Sequence, residues 1–291
     1  MVQVTKYAAI DIGSNAIRLL IASVTEAEGR APFFKKISLV RVPIRLGSDV
    51  FVNGVIGEEN INRMVEAMRA YQLLMDIHQI KADLTSSNSQ QRLKAVNQLR
   101  QYDAEVAVPL LKSVMNDQEF IVRSFVAMRL GKKRTPESFS ALLTLINDRD
   151  PNVRAEAANS LSLYGEEAVS RLVEIFEQDR NWLVRRSILA AFADMNYPDA
   201  LLAICVLGVQ GEDLAIQEAS IEGLSLLAPT SQHDAALKQI LACVDAQRWR
   251  LRVQVAKALG RFNDPSSQDA LNRLRQDDEH RVVAATLEDL V

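Results

Sequence analysis

The sequence predicts a mainly α protein: a right-handed α-α superhelix of stacked helical hairpins over residues 81–291, preceded by a small α/β segment over residues 1–80. Three observations carry this prediction. A Val-Arg marker returns about every 31 residues. Apolar residues flank each marker at the spacing of one helix face. The first eighty residues follow a different pattern and read as short strands followed by a helix.

In chain order, Tyr7–Ile12 reads as a buried strand, Gly13-Ser14-Asn15 as a turn, Ala16–Ala22 as a second strand and Lys36–Ile44 as a third. A short piece follows near Val50-Phe51. A helix is predicted from Glu58 to about residue 79, with Ile61, Met64, Val65, Met68, Tyr71, Leu74 and Met75 at helical spacing. Glu58 and Glu59 suit its positive N-terminal end. Three strands and one helix leave an open sheet edge and an uncovered apolar face. The first hairpin of the repeat region and a second copy of the chain are the candidates to cover them, which makes a homo-oligomer through this segment an expectation.

The repeat is fixed by its marker. The slots are Arg92, Arg123, Arg154, Arg185, Gln217, Arg252 and Val283, at intervals of 31, 31, 31, 32, 35 and 31 residues. One residue earlier stand Val122, Val153, Val184, Ile216, Leu251 and Val282. Seven later stand Leu99, Leu130, Leu161, Phe192, Leu224, Leu259 and Leu290, with small or apolar residues at three and four. These offsets make one stripe on a helix, the first of each unit. A second apolar helix follows, for example Ala141–Ile146, Ala168–Phe176 and Ala200–Val206. Turns carry Gly131, Pro136, Gly165, Pro198, Pro229 and Pro265. One hairpin cannot bury its own stripe, so about six must stack, closed by a last helix near 279–291. The second helices are expected to line the concave face.

Six residues before the marker stand Asp117, Asp148, Asp179 and Asp277. Each can cap a helix and meet an arginine, so Asp117, Arg123, Asp148, Arg154, Asp179, Arg185 and Arg252 are expected to form a ladder along the stack. Repetition in every unit marks this as architecture rather than chemistry. Phe120, Trp182 and Trp249 share the slot three before the marker, where an aromatic either packs over a turn or anchors a partner. With Arg186 and Arg250 they are the candidate partner-binding residues. Cys205 and Cys243 lie among Leu, Ile and Val and read as small buried apolar residues. His78, His233 and His280 show no ligand spacing, so no metal site is expected.

Composition excludes several classes. The chain carries 34 basic and 37 acidic residues, and neither segment is basic, so no nucleic-acid footprint is expected. No membrane span and no signal peptide are read, and two cysteines cannot organise a disulfide framework. A cytoplasmic protein is expected.

The repeats resemble HEAT repeats over about 210 residues. Phe120–Ser124, Asp150–Ala158 and Trp182–Ala191 resemble cyanobacterial HEAT-repeat proteins, a group that includes lyase-type subunits attaching bilins to phycobiliproteins and relatives implicated in phycobilisome turnover. The resemblance implies a protein-binding scaffold, with a phycobiliprotein or a second lyase-type subunit as partner and a bilin as the one cofactor it allows. It transfers no catalytic residue.

The stretch Ala9–Leu20, with Ile44-Arg45-Leu46-Gly47 and Gly54-Val55-Ile56-Gly57, resembles the opening of the exopolyphosphatase/guanosine pentaphosphate phosphohydrolase family, which has the actin/Hsp70-like fold. By that resemblance Asp11 would position a metal or water, and Gly13, Ser14 and Asn15 would hold phosphate. The resemblance ends near residue 79: no second phosphate loop or later catalytic carboxylate follows. A phosphohydrolase site needs groups on both sides of the phosphate, so residues 1–80 read as an incomplete fragment, with a phosphohydrolase left inactive by the missing half as the alternative function. A natural fusion, a truncation and an artificial chimera read alike at this join.

Overall fold

A computed structural model describes residues 2–27, 31–44, 46, 49 and 54–287. Expectations that fall on Arg45, Gly47, Val50, Phe51 and Leu290 lie outside these residues. The chain divides into two compact units, Met1–Ser87 and Asn88–Val291.

The first unit is an antiparallel meander, β1 (Val2–Ile12), β2 (Ala16–Ala27) and β3 (Phe33–Pro43), followed by α1 (Glu58–Asp83). All four elements are longer than the sequence signals that mark them. β2 is central, pairing Ile12 with Ile17 on one side and Val42 with Ile17 on the other. Successive residues alternate between faces, so Ile17, Leu19 and Ile21 point one way. They are buried with Ala67 and Tyr71 of α1, and Val40 and Val42 pack beside them. The Tyr71 hydroxyl donates to the Ile17 carbonyl at 2.7 Å, which fixes the helix on the middle strand.

The expectation of a buried first strand is corrected. Every described side chain from Tyr7 to Ile12 is exposed. Ile10 and Ile12 share a face with Leu19 and Ile17, yet they stand 42% and 53% exposed. Among the described residues, α1 packs over β2 and β3 and leaves the β1 side chains exposed.

The second unit holds six hairpins and a terminal helix. The marker helices are α2 (Ser89–Gln98), α4 (Phe120–Lys133), α6 (Pro151–Ser162), α8 (Trp182–Asp194), α10 (Leu214–Ser225), α12 (Trp249–Leu259) and α14 (His280–Ala285). The second helices are α3 (Ala104–Ser113), α5 (Pro136–Leu145), α7 (Glu166–Gln178), α9 (Pro198–Gln210), α11 (His233–Leu241) and α13 (Pro265–Leu274). The marker stripe forms the core: Val122, Val153, Val184, Leu99, Leu130, Leu161, Phe192, Leu224 and Leu259 are fully buried.

Neighbouring marker helices pack directly on one another, whereas successive second helices touch far less. The physical cause is small side chains. Ala157 and Ala158 are fully buried, and Gly131 meets Ser160 so closely that a Cβ on Gly131 would lie 2.6 Å from the Ser160 Cβ.

The expected aspartate caps are also corrected. The N-cap residue lies four before the marker, and the Asn88, Asp150, Asn181 and Glu279 side chains each accept from the amide two residues on. The preceding aspartates bind one step earlier: Asp117, Asp148, Asp179 and Asp277 accept from the amides of Glu119, Asp150, Asn181 and Glu279. They brace the turn that enters the helix.

Gly131→Ala tests the close approach. Alanine gains about 1 kcal/mol of helix propensity, but the contact is with Ser160 side chain and backbone, and overpacking costs about 1–3 kcal/mol. Chemical denaturation is expected to show net destabilisation, relieved in the double variant Gly131→Ala/Ser160→Gly.

Candidate functional site

The repeated charged groups assemble at the joints between units. Arg92 binds Asp117 through Nε at 2.6 Å and Nη2 at 2.8 Å. Arg123 does the same with Asp148 at 2.7 and 2.8 Å, and Arg252 with Asp277 at 2.6 and 2.9 Å. Arg154 binds Asp179 at 2.6 and 3.3 Å. Each arginine therefore reaches forward 25 residues, to the aspartate that precedes the next marker. The other nitrogen, Nη1, turns back: Arg123 donates to the Asp117 carbonyl at 2.7 Å, Arg154 to Asp148 at 2.9 Å and Arg252 to Ala246 at 2.7 Å. One guanidinium thus ties its own entry turn to the next unit's. Such bidentate pairs are directional as well as strong.

Electrostatics follow the geometry. Hydrogen bonds from Arg92 hold the Asp117 carboxyl below the ordinary carboxylate value, against the opposing effect of burial. Arg252 does the same for Asp277. Burial pushes Asp148 up, but Arg123 and the Asp150 amide outweigh it and the net displacement is downward.

Arg185 was expected in this ladder and is not part of it. The position six before the next marker is Gly211, which has no carboxylate. Among the described residues the Arg185 side chain donates no hydrogen bond; its Nε is buried without a partner and its guanidinium lies 4.3 Å over the Phe176 ring. Burial lowers its pKa from the ordinary arginine value, opposed by Asp213 and Asp179. The next marker is Gln217, whose Nε2 donates to the Gly211 carbonyl at 2.8 Å, keeping only the backward half of the arginine's task. The sequence signal was present: an interval of 32 residues, a glycine in the aspartate slot and a glutamine in the arginine slot.

The three aromatic slots diverge. Trp182 is 50% exposed and Phe120 41% exposed, with Ile121 open beside Phe120. Trp249 is half-buried, and the Arg281 guanidinium lies 4.6 Å over its ring. Arg186 is exposed on α8. Arg250 pairs with Glu218 of the adjacent marker helix at 2.8 Å. A group not singled out in the sequence is Glu156, half-buried on α6; burial raises its pKa, against hydrogen bonds with Asn159 and Ser160 and the charge of Lys132. Nothing in its local sequence marks it, because its burial depends on neighbouring helices. Cys205 is fully buried and Cys243 half-buried, and burial pushes both thiols up, keeping them protonated.

At the β1–β2 turn, Asp11 faces Arg18 across the strands at 3.5 Å, with both side chains largely exposed. The Gly13 amide donates to the Ala16 carbonyl at 3.0 Å. That amide closes the hairpin. Ser14 and Asn15 are exposed beside it. The turn connects β1 to β2 and places Asp11, Gly13, Ser14 and Asn15 together at one end of the hairpin. Among the described residues no three His, Cys, Asp or Glu side chains gather to hold a metal ion, and no described helix is long and apolar enough to cross a membrane.

Residues 108–193 match the family of HEAT repeats. The chain is similar in fold to human deoxyhypusine hydroxylase in complex with glycerol, at 18% identity and a TM-score of 0.36, covering 74% of this chain and 95% of that one. It is similar also to the complex of CpcE and CpcF of phycocyanin lyase from Nostoc, at 18% identity and a TM-score of 0.42, covering 74% and 86%. Over 74 residues the chain is 36% identical to a bifunctional 3-dehydroquinate synthase/phosphatase of Fusobacterium nucleatum. The matched stretch is 25% of this chain and 11% of that protein, so the chain spans about a tenth of its length.

Arg123→Ala tests the ladder. Its side chain is 4% exposed and Asp148 only 10%, so the substitution strands a buried carboxylate, and a loss of about 3–5 kcal/mol in urea denaturation is expected. The pH dependence has a defined sign. Asp117 and Asp277 are depressed in the folded protein. Their contribution is complete above the unfolded-state pKa of about 4 and lost as pH falls through the folded values. Acid-unfolding curves of Asp117→Asn/Asp277→Asn are expected to be flatter than wild type below about pH 4.

Proposed function

We propose that this chain is a protein-binding HEAT scaffold whose partner docks at the N-terminal ends of the marker helices. The observation that carries this is the pair of large exposed side chains in one repeated slot, Phe120 and Trp182, each on a rigid helix end. Aromatic anchors on preformed surfaces supply much of the energy of protein association. Arg186 stands on the same helix as Trp182 and is exposed with it. Trp249 shares the aromatic slot, but it and Arg250 are already engaged by Arg281 and Glu218, so they contribute less.

The sharper form of the proposal is a phycobilisome-linked or bilin-lyase-like role, with a phycobiliprotein or a second lyase-type subunit as partner. The resemblance of Phe120–Ser124 and Trp182–Ala191 to cyanobacterial HEAT proteins supports it. Any bilin would be held with the partner, since both cysteines are kept protonated by burial. The cytoplasm is the compartment such a role implies.

Titrating the protein into an apo-phycobiliprotein subunit, with and without phycocyanobilin, tests both levels. Saturable binding is expected, weakened about 10–30-fold by Trp182→Ala and less by Phe120→Ala, in line with a hot spot of about 2 kcal/mol. A change in the bilin absorption band would support the lyase-like form. Binding that both variants leave unchanged would remove the anchors, and no binding would remove this partner.

A further inference from the structure

We propose that the Arg185 rung is a receptor for a carboxylate supplied from outside the chain. The argument is internal to the fold. Four equivalent arginines, Arg92, Arg123, Arg154 and Arg252, each hold a carboxylate through Nε and Nη2. Arg185 occupies the same helical position with no carboxylate to hold. Its guanidinium is nevertheless poised beside the vacant place: a Cβ built on Gly211 would lie 3.5 Å from Arg185 Nη1. Stacking on the fully buried Phe176 ring holds the planar group in position and leaves its edge for hydrogen bonding. The Nε is shut off from water and unpartnered, an arrangement that costs stability unless something accepts from it.

The neighbouring acids do not satisfy it. Asp179 is bound by Arg154 and by the Asn181 amide. Asp213 accepts from the Ile216 amide as the cap of α10. The Gly211 carbonyl is taken by Gln217. Arg185 is half-buried rather than sealed. Its Nε is closed to water, so a ligand from outside meets the Nη1–Nη2 edge, whereas the other rungs hold their carboxylate through Nε and Nη2. That edge still selects a planar, bidentate acceptor. Two sources share that chemistry: an acidic side chain of a protein partner and a small free carboxylate. Only the first rests on the protein-binding reading.

The test uses the full-length protein and four variants. The protein probe is a fluorescein-labelled peptide of glutamates and glycines, followed by anisotropy; the small probe is acetate, followed by the thermal midpoint against chloride at equal ionic strength. Gly211→Asp supplies the missing carboxylate from within. It is expected to raise Tm by about 2–4 °C and to abolish response to either probe. Arg185→Gln is expected to lose the response at least tenfold, Arg185→Lys to lose part of it, and the distant exposed Arg261→Gln to keep it. A response to peptide assigns the protein source, and a response to acetate alone assigns the small one. If Gly211→Asp neither raises Tm nor alters the response, or if Arg185→Gln responds like wild type, the proposal is overturned. Failure to bind a phycobiliprotein would leave these readouts unaffected, so the two readings fail separately.

Discussion

The second unit depends on one constraint: a hairpin of about 31 residues has an apolar stripe that its own second helix cannot cover. The next marker helix must cover it. That requirement explains why the apolar residues in these slots, Val122, Val153, Val184, Ile216, Leu251 and Val282 before the marker and Leu99, Leu130, Leu161, Phe192, Leu224 and Leu259 after it, are fully or almost fully buried. Gly131 against Ser160, and the paired alanines 157 and 158, let backbones approach to a distance that larger side chains would forbid.

The charged ladder acts at the same joints. Apolar stripes are non-directional and leave the rotation of one unit on the next weakly defined. A bidentate arginine that grips its own entry turn and the next unit's aspartate adds direction. Desolvating such a pair offsets much of its attraction, so its contribution is better understood as geometry than as net stability. Where the rung is lost, at Arg185 and Gly211, the chain substitutes a ring stack and a glutamine-to-carbonyl hydrogen bond. The intervals lengthen to 32 and 35 residues at the same place, so the regular joint is relaxed there and an arginine is released from its structural task.

The first unit solves its packing problem incompletely. One helix is anchored by the Tyr71 hydroxyl and covers the middle strand and β3. It leaves the edge strand β1 with apolar side chains in the open. At its turn, Gly13-Ser14-Asn15 has the residue types of an anion-binding loop, and the Gly13 amide closes the hairpin to Ala16. A short motif specifies donors; the strands on either side decide where those donors point.

Periodicity by itself determined the solenoid. The marker, its flanking apolar slots and the turn residues were enough to place the helices of the second unit, because each depends on local spacing that a single strand of sequence carries. The same pattern paired arginine with aspartate, since both recur at four of the joints. Two matters were decided only by tertiary structure. The exposure of β1 follows from the reach of α1 across the sheet, a distance that alternation of residues cannot encode. The open rung follows from where Arg185 comes to rest, over Phe176 and beside Gly211. Local sequence fixes which groups exist and which face they share; only packing between distant segments decides which of them are left without a partner.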